Sequence, residues 1–143
     1  MPLTTAGFHR VKSDNGNIPL NQSKAAIANG VTMAGGTMGR LDSDGDVQKA
    51  TSGYSIFGAL SFKGSATGDG VEEYFWDIED GAIFEVDYGN LTAAQRAPGQ
   101  LVDLNTAATG ITTNSNGDFL VVPDNGMARE GKIWVKPVNR QAS

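Results

Sequence analysis

Residues 42–46, with the sequence DSDGD, carry three carboxylates at alternating positions. Carboxylate oxygens are the ligands that calcium prefers, and an EF-hand loop begins with this alternation. Such a loop also needs glycine at its sixth position and a bidentate glutamate at its twelfth. Here glycine is the fourth residue of the segment and Gly53 is the twelfth. The spacing therefore does not match this calcium site.

A β-hairpin accounts for the same residues. Residues 43–45 then form a three-residue loop in which Gly45 supplies a positive φ angle. This register pairs Leu41 with Val47 and places both side chains on one face. We expect a structural corner of a β-body here.

Similar turn chemistry occurs in residues 114–118, with the sequence NSNGD. A three-residue loop at this point would pair Thr113 with Phe119 and Ile111 with Val121. The sequence thus predicts a second hairpin.

Glu73 and Asp77 are candidates for an acid–base pair. Two carboxylates that flank a sugar can hydrolyse it when one of them has a raised pKa, and Tyr74 or Trp76 could stack on the sugar. However, Tyr74, Trp76 and Ile78 alternate with Glu73, Phe75 and Asp77, which is typical of a half-buried strand. We expect core packing for the aromatic side chains and a solvated face for the acids.

Other catalytic signals are weak. His9 is the only histidine, and no G-x-S-x-G motif accompanies it to complete a nucleophilic triad. The glycine-rich residues 35–39 and 64–70 lack the Walker lysine and the dinucleotide-binding spacing. There is no cysteine, so a disulfide or a thiolate metal site is excluded. We expect no enzyme, no cofactor and no metal.

Composition narrows the class of protein further. The 143 residues include 19 glycines, which suits one domain with many turns. The net charge of −5 argues against nucleic acid as a partner. No apolar run reaches the roughly 18 residues of a membrane-spanning helix, and the start MPLTTAGFHR lacks the apolar core of a secretory signal. We expect a soluble protein without a membrane partner.

The order of turns and alternating segments predicts an all-β fold. We expect an extended N-terminal arm over residues 1–24, followed by a single β-rich domain over residues 25–143. A short helix is predicted over residues 24–29, capped by Ser23, and a helical turn over residues 93–96, capped by Thr92.

Strands are predicted over residues 54–62, 100–103, 110–113, 119–122 and 132–138, with an antiparallel hairpin of residues 73–78 and 82–88. Residues 54–62 should place Tyr54, Ile56, Leu60 and Phe62 on one face. Many short strands separated by turns predict a small β-barrel or β-sandwich.

Four segments resemble the head decoration (cement) proteins of tailed bacteriophages. They are GTMGRLDSDGDVQKA at residues 36–50, GYSIFGAL at 53–60, DGAIFEVDY at 80–88 and APGQLVDL at 97–104. The resemblance spans roughly residues 30–122 and rests on hairpins, glycines and a small β-body.

The resemblance implies a structural virion protein, made in the host bacterial cytoplasm, that binds the capsid exterior. Such proteins are commonly homotrimers that clamp neighbouring major capsid subunits, and they have no catalytic residues. The arm would contact neighbouring subunits, with Leu3, Phe8, His9, Arg10 and Val11 as candidate contacts. A carbohydrate- or receptor-binding module, using Trp76 or Trp134, and a tail or baseplate subunit remain alternatives.

Overall fold

The computed structural model describes residues 7–13, 22–61, 64–78 and 82–138. These residues form β-strands joined by turns, and none of them lies in a helix. The strands are β1 (His9–Ser13), β2 (Gln22–Ala26), β3 (Thr32–Ala34), β4 (Met38–Leu41), β5 (Val47–Lys49), β6 (Gly58–Leu60), β7 (Ser65–Thr67), β8 (Glu72–Asp77), β9 (Ala82–Asp87), β10 (Leu101–Leu104), β11 (Ile111–Thr112), β12 (Phe119–Val122) and β13 (Lys132–Pro137).

The strands form three sheets with antiparallel pairing between neighbours. A six-stranded sheet has the order β1-β9-β13-β12-β10-β11, a five-stranded sheet has the order β2-β8-β6-β4-β5, and β3 pairs with β7. The prediction of an all-β protein built from short antiparallel strands is confirmed. Neither large sheet closes into a barrel.

The main hydrophobic core contains residues from both large sheets. Phe8 stacks on Phe119 with ring centroids 5.0 Å apart and meets Phe84 edge-on at 6.3 Å. Met38 and Ala59 of the five-stranded sheet belong to the same buried cluster. The two large sheets therefore share one core, as in a β-sandwich.

The five-stranded sheet is buried on its other face as well. Leu60 and Phe75 belong to a second cluster, which Met33 of β3 and Ala66 of β7 help to cover. The neighbouring residue Ala59 instead belongs to the main core. Successive residues of β6 thus face different cores, as the alternation of a strand requires.

The five-stranded sheet is strongly curled. Ile27, directly after β2, forms a parallel bridge with Val47 of β5, although β2 and β5 are opposite edges of the sheet. The Ala28 N–H donates to the Val47 carbonyl at 2.9 Å. The two edges touch at this single bridge without a ladder that would close the sheet, and Ile27 and Val47 both belong to the second cluster.

A glycine pair allows this curvature. Gly39 of β4 lies opposite Gly58 of β6. A Cβ on Gly39 would lie 2.5 Å from Val47 Cγ1, and one on Gly58 would lie 2.5 Å from the Trp76 carbonyl oxygen. Only glycine fits at either position without a shift of its neighbours.

The predicted hairpin at residues 42–46 is confirmed. Leu41 lies opposite Val47, and the Asp42 N–H donates to the Asp46 carbonyl at 2.8 Å. Gly45 has a φ of 83°. Val47 is fully buried, which fixes the register because a slip by one residue would turn it outward.

The predicted second hairpin, with Thr113 opposite Phe119, is wrong. β11 and β12 both pair with β10: Thr112 lies opposite Asp103, and Phe119 lies opposite Val102. The Asp103 side chain holds the connecting turn, so β10 replaces the direct strand-to-strand ladder.

The predicted hairpin of residues 73–78 and 82–88 is also wrong. β8 lies in the five-stranded sheet, whereas β9 lies in the six-stranded sheet. β8 has apolar side chains on both faces, with Phe75 in the second cluster and Trp76 packed against the main core. It therefore needs a position in which both of its faces are covered.

The strand predicted over residues 54–62 is much shorter, since β6 covers only Gly58–Leu60. Ile56 and Leu60 belong to different cores, and Tyr54 is 63% exposed, so these side chains do not share one face. Phe62 lies outside the described residues.

The predicted helix over residues 24–29 is wrong. Residues 22–26 form β2 because Ala25 packs into the second cluster opposite Glu73 of β8. The predicted turn over residues 93–96 is confirmed as a single turn: the Arg96 N–H donates to the Thr92 carbonyl at 3.1 Å, and the Gln95 N–H donates to the Thr92 hydroxyl at 3.2 Å. No helix in the described residues could span a membrane.

Part of the predicted arm belongs to the sandwich. β1 pairs with β9 and forms an edge of the six-stranded sheet, and Phe8 is fully buried. The register shifts between Arg10 and Lys12, which bulges this edge. A bulged edge with basic residues is a poor template for pairing with a further strand.

We expect Gly39→Ala to destabilise the protein by about 1–3 kcal/mol, because its Cβ would overlap Val47 Cγ1. Val47→Ala removes that atom, so the double variant should lose clearly less stability than the sum of the two single losses. Urea unfolding of all four proteins measures this coupling. Additive losses would contradict the proposed overlap.

Candidate functional site

Two buried carboxylates, Asp103 and Asp118, accept hydrogen bonds from the loops at residues 52–53 and 115–117. Asp103 is 4% exposed and Asp118 is 1% exposed. A buried carboxylate is stable only when its oxygens accept several hydrogen bonds. Both carboxylates accept most of these hydrogen bonds from residues in surface loops.

Asp103 holds the turn at residues 114–118. Its two oxygens accept the N–H groups of Ser115, Asn116 and Gly117 at 2.9–3.0 Å. The Gly117 N–H also donates to Asn114 Oδ1 at 2.9 Å. The left-handed φ of 67° at Gly117 turns these successive N–H groups toward one carboxylate.

Asp118 connects the two large sheets. It accepts the Ser52 hydroxyl at 2.6 Å, the Gly53 N–H at 2.9 Å and the Leu104 N–H at 2.9 Å. Ser52 and Gly53 lie between β5 and β6, while Leu104 ends β10. One side chain thus fixes a loop of the five-stranded sheet to a strand of the six-stranded sheet.

The two loops also contact each other directly. Asn116 Nδ2 donates to Ser52 Oγ at 2.9 Å, and a Cβ on Gly53 would lie 3.3 Å from the same Asn116 nitrogen. Residues 51–54 and 114–118 therefore form one continuous surface.

Three large exposed side chains surround these loops: Tyr54 at 63%, Leu101 at 40% and Val138 at 52%. Leu101 Cδ1 lies 3.4 Å from the position of a Cβ on Gly117, and the Val138 N–H donates to the Asp118 carbonyl at 2.9 Å. We call residues 51–54 and 114–118, with Leu101 and Val138, the loop surface. It combines exposed apolar side chains with a fixed backbone.

The Asp42 carboxylate is used within its own hairpin. It accepts the N–H groups of Asp44 and Asp46 at 2.9 and 3.0 Å and the Gln48 amide at 3.3 Å. Partial burial raises the pKa of Asp42, but these hydrogen bonds outweigh that effect and hold it below its usual 3.8. In the part of the chain that the structure describes, no three acidic or histidine side chains are grouped to hold a metal ion.

Glu73 and Asp77 both lie in β8, opposite Ala25 and Gly58 respectively. Residues four apart in a strand have Cα atoms about 13 Å apart, and Phe75 lies between them on the strand.

The tryptophans are not exposed platforms. Trp134 is 3% exposed, and its ring N–H donates to Glu85 at 3.1 Å. Arg129 forms an ion pair with Glu85 at 2.6 Å. Burial raises the pKa of Glu85, but the hydrogen bonds from Arg129 and Trp134 outweigh it and hold that pKa below 4.5. Trp76 is partly buried against the main core.

Of the predicted contact residues, Phe8 is buried, whereas His9, Arg10 and Val11 are partly exposed. Phe8 is fully buried between Phe84 and Phe119, and the Arg10 guanidinium lies 5.7 Å from the Phe84 ring. His9 lies opposite Glu85 in the sheet, and Val11 is partly buried. Leu3 lies outside the described residues.

Sequence reasoning missed Asp103, Asp118 and Tyr54 as residues of one site. A signal for Asp103 was present, because an acidic residue interrupts the apolar strand LVDL and needs a polar partner there. No local signal identifies Ser52 as a partner of Asp118, since 66 residues separate them.

We expect Asp118→Asn to lower the free energy of unfolding by about 2–4 kcal/mol. The amide nitrogen would face a donor, so at least one buried N–H or hydroxyl would lose its acceptor. The exposed hairpin variant Asp44→Asn is the matched control and should stay within about 0.5 kcal/mol of the wild type. Urea unfolding measures both, and equal stabilities for the two variants would refute this role of Asp118.

The described residues thus present a loop surface that two buried carboxylates hold in place. Comparison with protein-family models, with curated proteins and with solved structures finds no match to this chain.

Proposed function

We propose that this chain is a structural protein of a tailed-phage virion that binds the outer surface of the capsid. As a homotrimer it would clamp neighbouring major capsid subunits and stabilise the mature head. The role requires a rigid body with exposed contact surfaces.

The observation that carries this proposal is that four buried or partly buried carboxylates hold loops, a hairpin and neighbouring side chains in place. Asp103 and Asp118 fix loops, Asp42 fixes a hairpin, and Glu85 holds Arg129 and Trp134. These four carboxylates thus position backbone and neighbouring side chains, which gives the body the rigidity that the role requires. The all-β fold and the resemblance of residues 36–50, 53–60, 80–88 and 97–104 to decoration proteins support the same role.

The alternatives have less support among the described residues. The tryptophans named for a sugar-binding module do not favour it, since Trp134 is buried and Trp76 packs against the core. A hydrolase using Glu73 and Asp77 would need both carboxyl groups at one cleft, whereas the two residues lie four apart along β8 with Phe75 between them. A tail or baseplate subunit would differ from a decoration protein in where it lies on the virion.

The wild-type protein should co-sediment with expanded empty capsid shells of the phage that encodes it and raise their melting temperature. Light scattering should give a mass near three chains. Bovine serum albumin at the same concentration is the control for trapping in the pellet.

Failure to bind any capsid form would refute the proposed role, and a monomer at assay concentrations would refute the trimer. Electron microscopy of intact virions with a labelled antibody separates a capsid location from a tail or baseplate location.

A further inference from the structure

Asparagine followed by glycine occurs at four places in the chain: Asn15-Gly16, Asn29-Gly30, Asn116-Gly117 and Asn125-Gly126. Such a pair can modify itself in water, because glycine has no Cβ to hinder the approach of its backbone nitrogen to the preceding side chain. The first pair lies outside the described residues. The other three differ in what holds the glycine N–H.

The reaction is a cyclisation followed by hydrolysis. The glycine nitrogen attacks Cγ of the asparagine amide and a C–N bond forms. The side-chain nitrogen leaves as ammonia, with the proton of the glycine nitrogen. Water then opens the cyclic succinimide at either carbonyl and gives aspartate or isoaspartate. The glycine nitrogen must therefore leave its hydrogen-bond acceptor and turn toward Cγ before it can react.

Asn116 is exposed, but its pair is held by a buried group. The Gly117 N–H donates to Asp103 Oδ1 and to Asn114 Oδ1, each at 2.9 Å. Asn116 Nδ2 donates to Ser52 Oγ at 2.9 Å. Both the attacking nitrogen and the amide are thus engaged. Cyclisation would require the turn to leave a buried carboxylate, which costs free energy.

Asn125 is also exposed, but its turn is held by local bonds. The φ angles of 53° at Asn125 and 77° at Gly126 are those of a type I′ turn. The Met127 N–H donates to the Asp124 carbonyl at 2.9 Å, and the Gly126 N–H donates to Asp124 Oδ1 at 3.0 Å. Both bonds lie within the turn, so it can open without disturbing the sheets. Such openings cost little free energy.

Asn29 is tied to a distant segment of the chain. It forms a parallel bridge with Gly68, and the Gly30 N–H donates to the Gly68 carbonyl at 3.4 Å. The Gly68 N–H in turn donates to the Val31 carbonyl at 2.9 Å. Cyclisation here would require the two segments to separate, so Asn29 should react more slowly than Asn125.

We infer that Asn125 is the site at which the described asparagine–glycine pairs first deamidate, and that Asp103 protects Asn116 from the same reaction. Deamidation at Asn125 makes the net charge of −5 more negative by one unit. At Asn116 it would replace the amide that donates to Ser52 with a carboxylate, which only accepts. Asp103 thus preserves the chemical form of the loop surface as well as its shape.

The test follows the modified fraction of each asparagine by peptide mass spectrometry while native protein is incubated at mildly alkaline pH. Cleavage before Asp118 and Asp124 places Asn116 and Asn125 in separate peptides. Protein unfolded in urea gives the rate of each pair without the fold. Asp103→Asn is compared with the matched control Asp124→Asn, since each carboxylate accepts the N–H of one of the two glycines.

We expect Asn125 to deamidate at least about tenfold faster than Asn116 in the native wild type, and the two rates to agree within about threefold in urea. Asp103→Asn should raise the Asn116 rate at least about threefold and leave the Asn125 rate unchanged, whereas Asp124→Asn should leave the Asn116 rate unchanged. Circular dichroism melting checks that both variants fold. If Asp103→Asn does not fold, Ser52→Ala, which removes the partner of the Asn116 amide, should raise the Asn116 rate instead.

Equal native rates at Asn116 and Asn125, or a faster reaction at Asn29, would overturn the assignment of Asn125. An unchanged Asn116 rate in folded Asp103→Asn, or in Ser52→Ala where that variant replaces it, would overturn the protective role of Asp103. These rates are measured on the isolated protein, so they are independent of capsid binding.

Discussion

The Asp118 carboxylate is the interaction on which the arrangement of the two large sheets and their loops depends. It accepts hydrogen bonds from Ser52 and Gly53 on one side and from Leu104 on the other. Hydrogen bonds to a charged group contribute about 1.5–3 kcal/mol each, and an unsatisfied buried partner costs a similar amount. The complete set of hydrogen bonds therefore stabilises the fold, and the loss of one partner destabilises it. Asp103 extends the same principle to the adjacent turn, so both loops have a defined shape without regular secondary structure.

The curled five-stranded sheet provides the frame for this arrangement. Gly39 and Gly58 allow the close approach that bends the sheet, and the bridge from Ile27 to Val47 brings its opposite edges together. Ile27 and Val47 both belong to the second cluster, while the other face of the sheet packs on the six-stranded sheet. With both faces covered, the sheet places residues 51–54 beside the turn at residues 114–118. The fixed shape of the loop surface thus follows from sheet geometry and two buried acids.

The contacts that could be predicted from the sequence are those between residues close together in the chain. The Leu41–Val47 register could be predicted because turn chemistry and burial alternation act within one short hairpin. The pairing of β8 could not, because Phe75 and Trp76 serve different cores and periodicity alone does not identify the sheet that covers each. The candidate site joins Ser52 to Asp118 across 66 residues, so local patterns contain no information on that contact. Phe8 similarly appears as an arm residue until its stacking on Phe119 is known.

Amide hydrogen exchange in the native protein tests the central claim that buried carboxylates hold the loops rigid. The N–H groups of Gly53, Asn116 and Gly117 lie in surface loops but donate to Asp118 or Asp103. They should exchange about as slowly as strand amides such as Leu104, since their release requires opening of the same site. Exchange of these three amides at the rate of an exposed turn such as residues 124–126, with Leu104 still protected, would contradict the claim.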